Sequence, residues 1–209
     1  MMHIKYDVDN KIDFSRDEKH GIIIRAKEPK IVVVNEFTEK SAKLFREEFA
    51  QALSTEQDVV PIVIDSYGGY VDSLLSMVDI VKASSKPVIT ITTGKAMSCG
   101  SVLFTCGSKR YVGEYSRIMI HDVAAGAWGK VGELKVSVKE SERLNTMIYK
   151  IMEDNIGKGR GYLSKIVEKK NRDDWYLTAK QAKKHGIATD IGIPKLTVSI
   201  SLKMKFECK

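Results

Sequence analysis

Long apolar runs, cysteine and proline are scarce in this chain, and the scarcity removes whole classes of protein. No stretch of the 209 residues reaches the roughly 18–20 consecutive apolar residues of a membrane helix, so no membrane partner is expected. The N-terminus, Met1-Met2-His3-Ile4-Lys5-Tyr6-Asp7, lacks the apolar core of a secretory signal. The three cysteines, Cys99, Cys106 and Cys208, have neither disulfide-framework nor metal-ligand spacing. A cytoplasmic protein with reduced thiols is expected, needing no metal and no organic cofactor. The chain holds four prolines, no internal repeat and no low-complexity linker.

Acidic charge is short in one half only. Residues 128–209 hold 18 of the 34 Lys and Arg but 10 of the 27 Asp and Glu. Lys130, Lys135, Lys139, Lys150 and Lys165 are scattered with acids between them, and no nucleic-acid-binding motif accompanies them. A solvated helical surface is expected, not a nucleic-acid interface.

What is present is an alternation of apolar strands and amphipathic helices. Residues 1–30 read as a polar arm with a short strand near Gly21–Ile24. Ile31–Val34 and Pro61–Ile64 are continuous apolar runs, as in strands buried on both faces. Glu39–Leu53 places Ala42, Phe45, Phe49, Ala52 and Leu53 at helical spacing, and Val71–Ala83 does so with Leu74, Leu75, Val78 and Val81. Val88–Thr93 is a third strand, leading through a turn at Gly94 to a short apolar helix that begins at Ser98. Lys109–Gly113 and Arg117–Ile120 follow as strands. Behind a glycine-rich segment, 124–132, a helix from Glu133 to Asn155 carries Leu144, Met147, Ile148, Ile151 and Met152 on one stripe. This pattern predicts an α/β protein with a parallel-rich sheet, crossover helices and one projecting helix suited to meeting another subunit. The tail, 193–209, contains an alternating stretch, 196–204, that reads as an added strand.

Four features bear chemistry. Ser98 stands at a strand-to-helix turn, where a hydroxyl is presented beside free backbone N–H groups. His121 ends the strand Arg117–Ile120. Gly68-Gly69 lie at another strand-to-helix junction, where backbone N–H groups can approach a ligand closely. Asp173-Asp174 precede an apolar pair near the C-terminus and offer an acid to orient an imidazole. Each is ordinary alone, since a serine at a helix start is usually only an N-cap. Together they predict acyl transfer with Ser98 as nucleophile, His121 as base, and Gly68 and Cys99 N–H groups as oxyanion donors. Lys95 offers a Ser–Lys dyad as a different arrangement.

These residues carry a resemblance. Ser66-Tyr67-Gly68-Gly69, Ala96-Met97-Ser98-Cys99-Gly100, Arg117-Ile118-Met119-Ile120-His121, Leu177-Thr178-Ala179 and Gly186-Ile187-Ala188 resemble, in order and spacing, motifs of the Clp protease proteolytic subunit (ClpP) family, including its phage-type relatives. The likeness covers about residues 30–192. It implies a serine endopeptidase on the crotonase/ClpP-like fold, with a peptidase domain over 31–192 and a handle at about 123–156 that joins stacked heptameric rings. It also implies unfolded protein or peptide substrates, a homo-oligomer and an ATP-dependent (AAA+) unfoldase partner. The aspartate position usual in ClpP falls on Lys170, whereas the shorter phage-type pattern matches Asp174. Asp174 is therefore the expected acid, followed by Asp173 and then Glu168. A catalytically inactive ClpP-like scaffold and a crotonase-type acyl-CoA enzyme are the competing expectations.

Overall fold

In the computed structural model, residues 13–14, 22–23 and 29–195 are described. The expected arm thus falls almost wholly, and the strand within 196–204 entirely, outside the described residues. Asp13–Phe14 (β1) and Ile22–Ile23 (β2) pair antiparallel. The chain then alternates: Val32–Val34 (β3), Glu39–Ser54 (α1), Val60–Ser66 (β4), Val71–Lys82 (α2), Val88–Met97 (β5), Cys99–Thr105 (α3) and Lys109–Val112 (β6). Arg117–Ile120 (β7), Val131–Asn155 (α4), Tyr162–Lys169 (α5), Trp175–Thr178 (β8), Ala179–Lys184 (α6) and Asp190–Ile191 (β9) complete it.

The apolar runs become a seven-stranded sheet in the order β3-β4-β5-β6-β9, with β7 paired to β5 and β8 to β7. Every pairing in it is parallel except β7 with β8. The parallel neighbours β3–β4, β4–β5 and β5–β6 each demand a crossover, which α1, α2 and α3 supply. On α1 the expected face is the buried one: Ala42, Phe45, Phe49 and Ala52 are inside, and Thr38 closes a capping box with Ser41. Burying each phenylalanine contributes about 1.5–3 kcal/mol. On α2 Leu74, Val78 and Val81 are buried as expected, with Met77 inside and Leu75 only half-buried.

One expectation fails here. There is no glycine turn after Thr93; β5 continues through Gly94 and Lys95 to Met97. Gly94 lies within the strand with the Asp65 carboxylate closed over it, where a Cβ would lie 2.8 Å from Asp65 Oδ1, so the position takes glycine. Lys95 accordingly sits on a strand, not in a turn. The extra length matters. Residues 89–92 of β5 pair with β6, whereas Lys95–Met97 pair with β7. The sheet therefore forks along β5, and β7 arrives beside the end that leads into Ser98.

Helix α4 has two characters. Ile148, Tyr149, Met152 and Glu153 are buried in its last turns, while Val131, Val136 and Val138 in its first half are exposed, as is Trp128 ahead of it. At about 1.5 Å per residue its 25 residues span roughly 37 Å, so the first half projects from the body. Glu153 was hidden within the apolar stripe. Glu153 is 2% exposed, and its carboxylate accepts the N–H groups of Gly161 and Leu163, both at 2.8 Å, and so satisfies the start of α5.

The segment around residues 185–187 is fixed by two polar side chains. Buried Arg110 donates to the carbonyls of Gly107, Gly186 and Ile187. His185 bonds Tyr162 Oη at 2.8 Å and packs edge-on to Trp175, 4.9 Å between centroids. Burial, reinforced by Lys184 and Lys158, holds the His185 pKa below its usual value. The unfolded chain thus takes up the proton more readily. The stability His185 contributes is complete above the unfolded pKa of about 6.5 and is lost as pH falls through the lower folded value. Thermal melts between pH 7.5 and 5 should therefore fall less steeply for His185→Asn than for the wild type. Parallel slopes would show that His185 is not part of the acid sensitivity.

Candidate active site

Strand β5 delivers the chain into Ser98 with φ 52° and ψ −123°, a backbone setting that non-glycine residues rarely adopt. The Ser98 N–H is held by Met119 O at 2.9 Å, and its own carbonyl accepts from Ser101 and Val102 as α3 begins. Ser98 occupies the N-cap position, yet its side chain makes no capping bond. The hydroxyl points instead to His121, whose Nε2 lies 2.8 Å from Ser98 Oγ.

His121 follows the last residue of β7. Antiparallel pairing sets Ile120 opposite Trp175, so the next position outward on β7 faces the position before Trp175 on β8. That position is Asp174, and its Oδ1 is 3.2 Å from His121 Nδ1. Asp174 Oδ2 also accepts from Tyr176 Oη at 3.2 Å. Asp173 is exposed in the preceding turn and Glu168 is exposed near the end of α5; of the three acids, Asp174 is the one paired with His121. Lys95 is engaged elsewhere, 2.8 Å from Asp65 Oδ1 and over the Tyr67 ring at 4.3 Å, so no Ser–Lys dyad forms.

The glycine pair ends β4 against the same serine. Gly68 has φ +117°, and a Cβ there would lie 2.7 Å from Ser98 Cβ. The Gly68 backbone is therefore in contact with the Ser98 side chain, and only glycine permits the approach. Its N–H donates to Ser66 Oγ at 3.0 Å. The Cys99 N–H opens α3, a position with no intrahelical acceptor. The Cys99 thiol donates to Gly69 O at 3.2 Å and fastens the helix start to the glycine segment. Burial raises its pKa despite these hydrogen bonds, which keeps the thiol protonated and unreactive.

A small recess opens beside Ser98 and His121, walled by Val71, Val102, Ile120, Val123, Ile148 and Met152. Asp122, which also lines it, and its two partners Tyr149 and Arg172 escaped the sequence reading. Asp122 accepts from Tyr149 Oη at 2.7 Å and from Arg172 Nη1 at 2.8 Å. Burial works to raise the Asp122 pKa, but the Tyr149, Arg172 and Asn145 side chains outweigh it and the net shift is downward. Burial, with the neighbouring carboxylate, pushes the Tyr149 hydroxyl upward, so it stays a donor. The one available signal in the sequence was an acid directly after the histidine. Among the described residues no group of three or more His, Cys, Asp or Glu is arranged to hold a metal ion, and no helix is long and apolar enough to cross a membrane.

The arrangement can relay a proton from a serine to an imidazole while backbone N–H groups face a developing oxyanion. Similarity to known proteins gives the family. Residues 16–195 match the model of the Clp protease family. The chain is 34% identical over 138 residues to an ATP-dependent Clp protease proteolytic subunit of Bacteroides fragilis, covering 65% of each protein. It has the same identity to the subunit of that name from strain YCH46, covering 65% of this chain and 61% of the relative. The chain thus spans somewhat under two thirds of the length of these relatives. With the match running through the sheet, the serine turn and the histidine strand, the chain belongs to the Clp protease family.

Proposed function

We propose that this protein is a serine endopeptidase that cleaves peptides and unfolded polypeptides with Ser98, His121 and Asp174. The observation that carries the reading is the bridging imidazole, 2.8 Å from Ser98 Oγ on one nitrogen and 3.2 Å from Asp174 Oδ1 on the other. Asp174 accepts the Nδ1 proton and so keeps the Nε2 lone pair facing the serine. His121 takes the Ser98 proton as Oγ attacks the scissile carbonyl. The imidazolium then protonates the leaving amine and the C–N bond breaks. Water, deprotonated by His121, attacks the acyl-enzyme and releases the acid product and free Ser98.

The oxyanion is held by the N–H groups of Cys99 and Gly68. At rest the Gly68 N–H is on Ser66 Oγ, and the developing oxyanion takes it over. One such donor contributes on the order of 3 kcal/mol to the transition state. Gly68→Ala both drives a Cβ into Ser98 and disturbs this donor, so kcat/KM should drop about 100- to 1,000-fold. A value within threefold of wild type would remove Gly68 from the site.

The apolar recess beside Ser98 suits an uncharged side chain on the residue whose carbonyl is attacked. Fluorogenic peptides differing at that residue test the whole reading. Leu, Met or Phe should be cleaved at least tenfold faster than Asp or Lys; no cleavage of any by the assembled protein would contradict an endopeptidase. The exposed Trp128, Val131, Val136 and Val138 support a self-compartmentalised homo-oligomer joined through α4. Relatives named as ATP-dependent support an AAA+ unfoldase as partner. We take 31–192 as the peptidase unit, with 1–30 and 193–209 as flanking segments. The two described cysteines are free thiols, which suits the cytoplasm.

A further inference from the structure

Two residues before Asp174, the chain does something unusual. Asn171 and Arg172 both have positive φ, 58° and 60°, in a turn without glycine. Asparagine tolerates that setting better than most residues; arginine has no such excuse. Such conformations persist where the surroundings over-determine them. Backbone bonds from Asn171, Arg172 and Asp173 to the carbonyls of Glu168, Val167 and Lys170 curl the turn. Curling alone does not fix where it sits. The side chain of Arg172 reaches back to the strand that carries His121, with Nη1 2.8 Å from Asp122 Oδ2.

Asp122 is itself held firmly. Its other oxygen accepts from Tyr149 of α4 at 2.7 Å, and the next N–H, of Val123, donates to Asn145 of the same helix at 2.7 Å. Arg172 thus ties the turn before Asp174 to a strand end that is already fastened to α4. We propose that Asp122 and Arg172 are positioning residues, an ion pair that keeps Asp174 in reach of His121. This rests on the reading of Ser98, His121 and Asp174 as the catalytic set.

The pair is poorly suited to a role in stability. The Arg172 side chain is 58% exposed, and ion pairs so exposed add little to folding. A misplaced orienting group, by contrast, costs rate steeply, about 100-fold for a displacement near 1 Å. Arg172→Met should therefore lower kcat about 10- to 100-fold, with KM within about twofold and the melting temperature nearly unchanged. Arg172→Lys should recover most of the rate, because the contact uses one guanidinium nitrogen and a lysine ammonium can replace it. In an Asp174→Asn background Arg172→Met should cost nothing more, since the residue it positions is gone.

The test combines these rates with proton NMR of His121 in the full-length protein. The Nδ1 proton shared with Asp174 should give a protected low-field resonance in the wild type and in Arg172→Lys, and lose it in Arg172→Met. Unchanged kcat in Arg172→Met, or full additivity with Asp174→Asn, overturns the proposal. So does a resonance that survives in Arg172→Met, which decides the matter even if the wild type cleaves no peptide. Failure of cleavage would strike the hydrolase reading, and the NMR result would still judge the clamp.

Discussion

Ser98→Ala should lower kcat for peptide hydrolysis on the order of a million-fold, the scale on which serine hydrolases lose rate when the nucleophile goes. The residue gives up its hydroxyl and little else. Its side chain makes no capping bond, and its contact with His121 Nε2 is the polar bond it loses. Alanine keeps the same Cβ and the same backbone restriction at φ 52°, so the turn and helix α3 should persist. The melting temperature should stay within a few degrees. Measured with a fluorogenic peptide, the variant should be indistinguishable from buffer. Activity within tenfold of the wild type would mean that another group attacks the substrate.

Asp174→Asn comes next, with an expected loss of roughly 1,000- to 10,000-fold in kcat. An asparagine amide facing His121 Nδ1 can donate where the carboxylate accepted. The proton then moves to Nε2, and the imidazole can no longer take one from Ser98. The carboxylate side chain is 45% exposed, so water can replace part of its effect, and the loss should fall short of that for Ser98. Asp173→Asn and Glu168→Gln serve as the comparison, because both acids are exposed and the acid paired with the imidazole is Asp174. Their rates should remain within about twofold of wild type. A larger loss for either than for Asp174 would show that the orienting acid is misassigned.

Much of this site was legible before any coordinates. The apolar runs form strands of the parallel sheet, but β3, read as buried on both faces, is an edge strand that buries only Val32 and Val34 and leaves Val33 exposed. The spacing of Ala42, Phe45, Phe49 and Ala52 marked the inner face of α1. Ser98 and His121 could be named because both stand at the ends of apolar strands. The acid could not be fixed in the same way. Asp173 and Asp174 are neighbours in sequence, and what separates them is strand register: Trp175 lies opposite Ile120, which brings Asp174 across from His121.

Other features depend on contacts that no local pattern encodes. Gly94 looked like a turn because glycine is common there, yet it lies within β5 under the Asp65 carboxylate. Glu153 sat among apolar residues on α4 with no visible partner, since its donors are backbone N–H groups of Gly161 and Leu163. Arg172 was one charge in a basic run. Its value comes from a backbone setting and from Asp122, fifty residues earlier, neither of which sequence spacing reports. Strand and helix identity follow from short-range patterning, whereas side-chain partnerships across the fold follow from topology.

The most direct test of an activated serine is labelling by a fluorophosphonate, with mass spectrometry to locate the adduct. The reagent needs a nucleophile, a base and oxyanion donors, but no knowledge of the natural substrate. A single adduct on Ser98 of the assembled wild-type protein, absent from Ser98→Ala, is the predicted result. An assembled, folded protein that takes no label at Ser98 would contradict the catalytic role assigned to it and leave a scaffold in place of an enzyme.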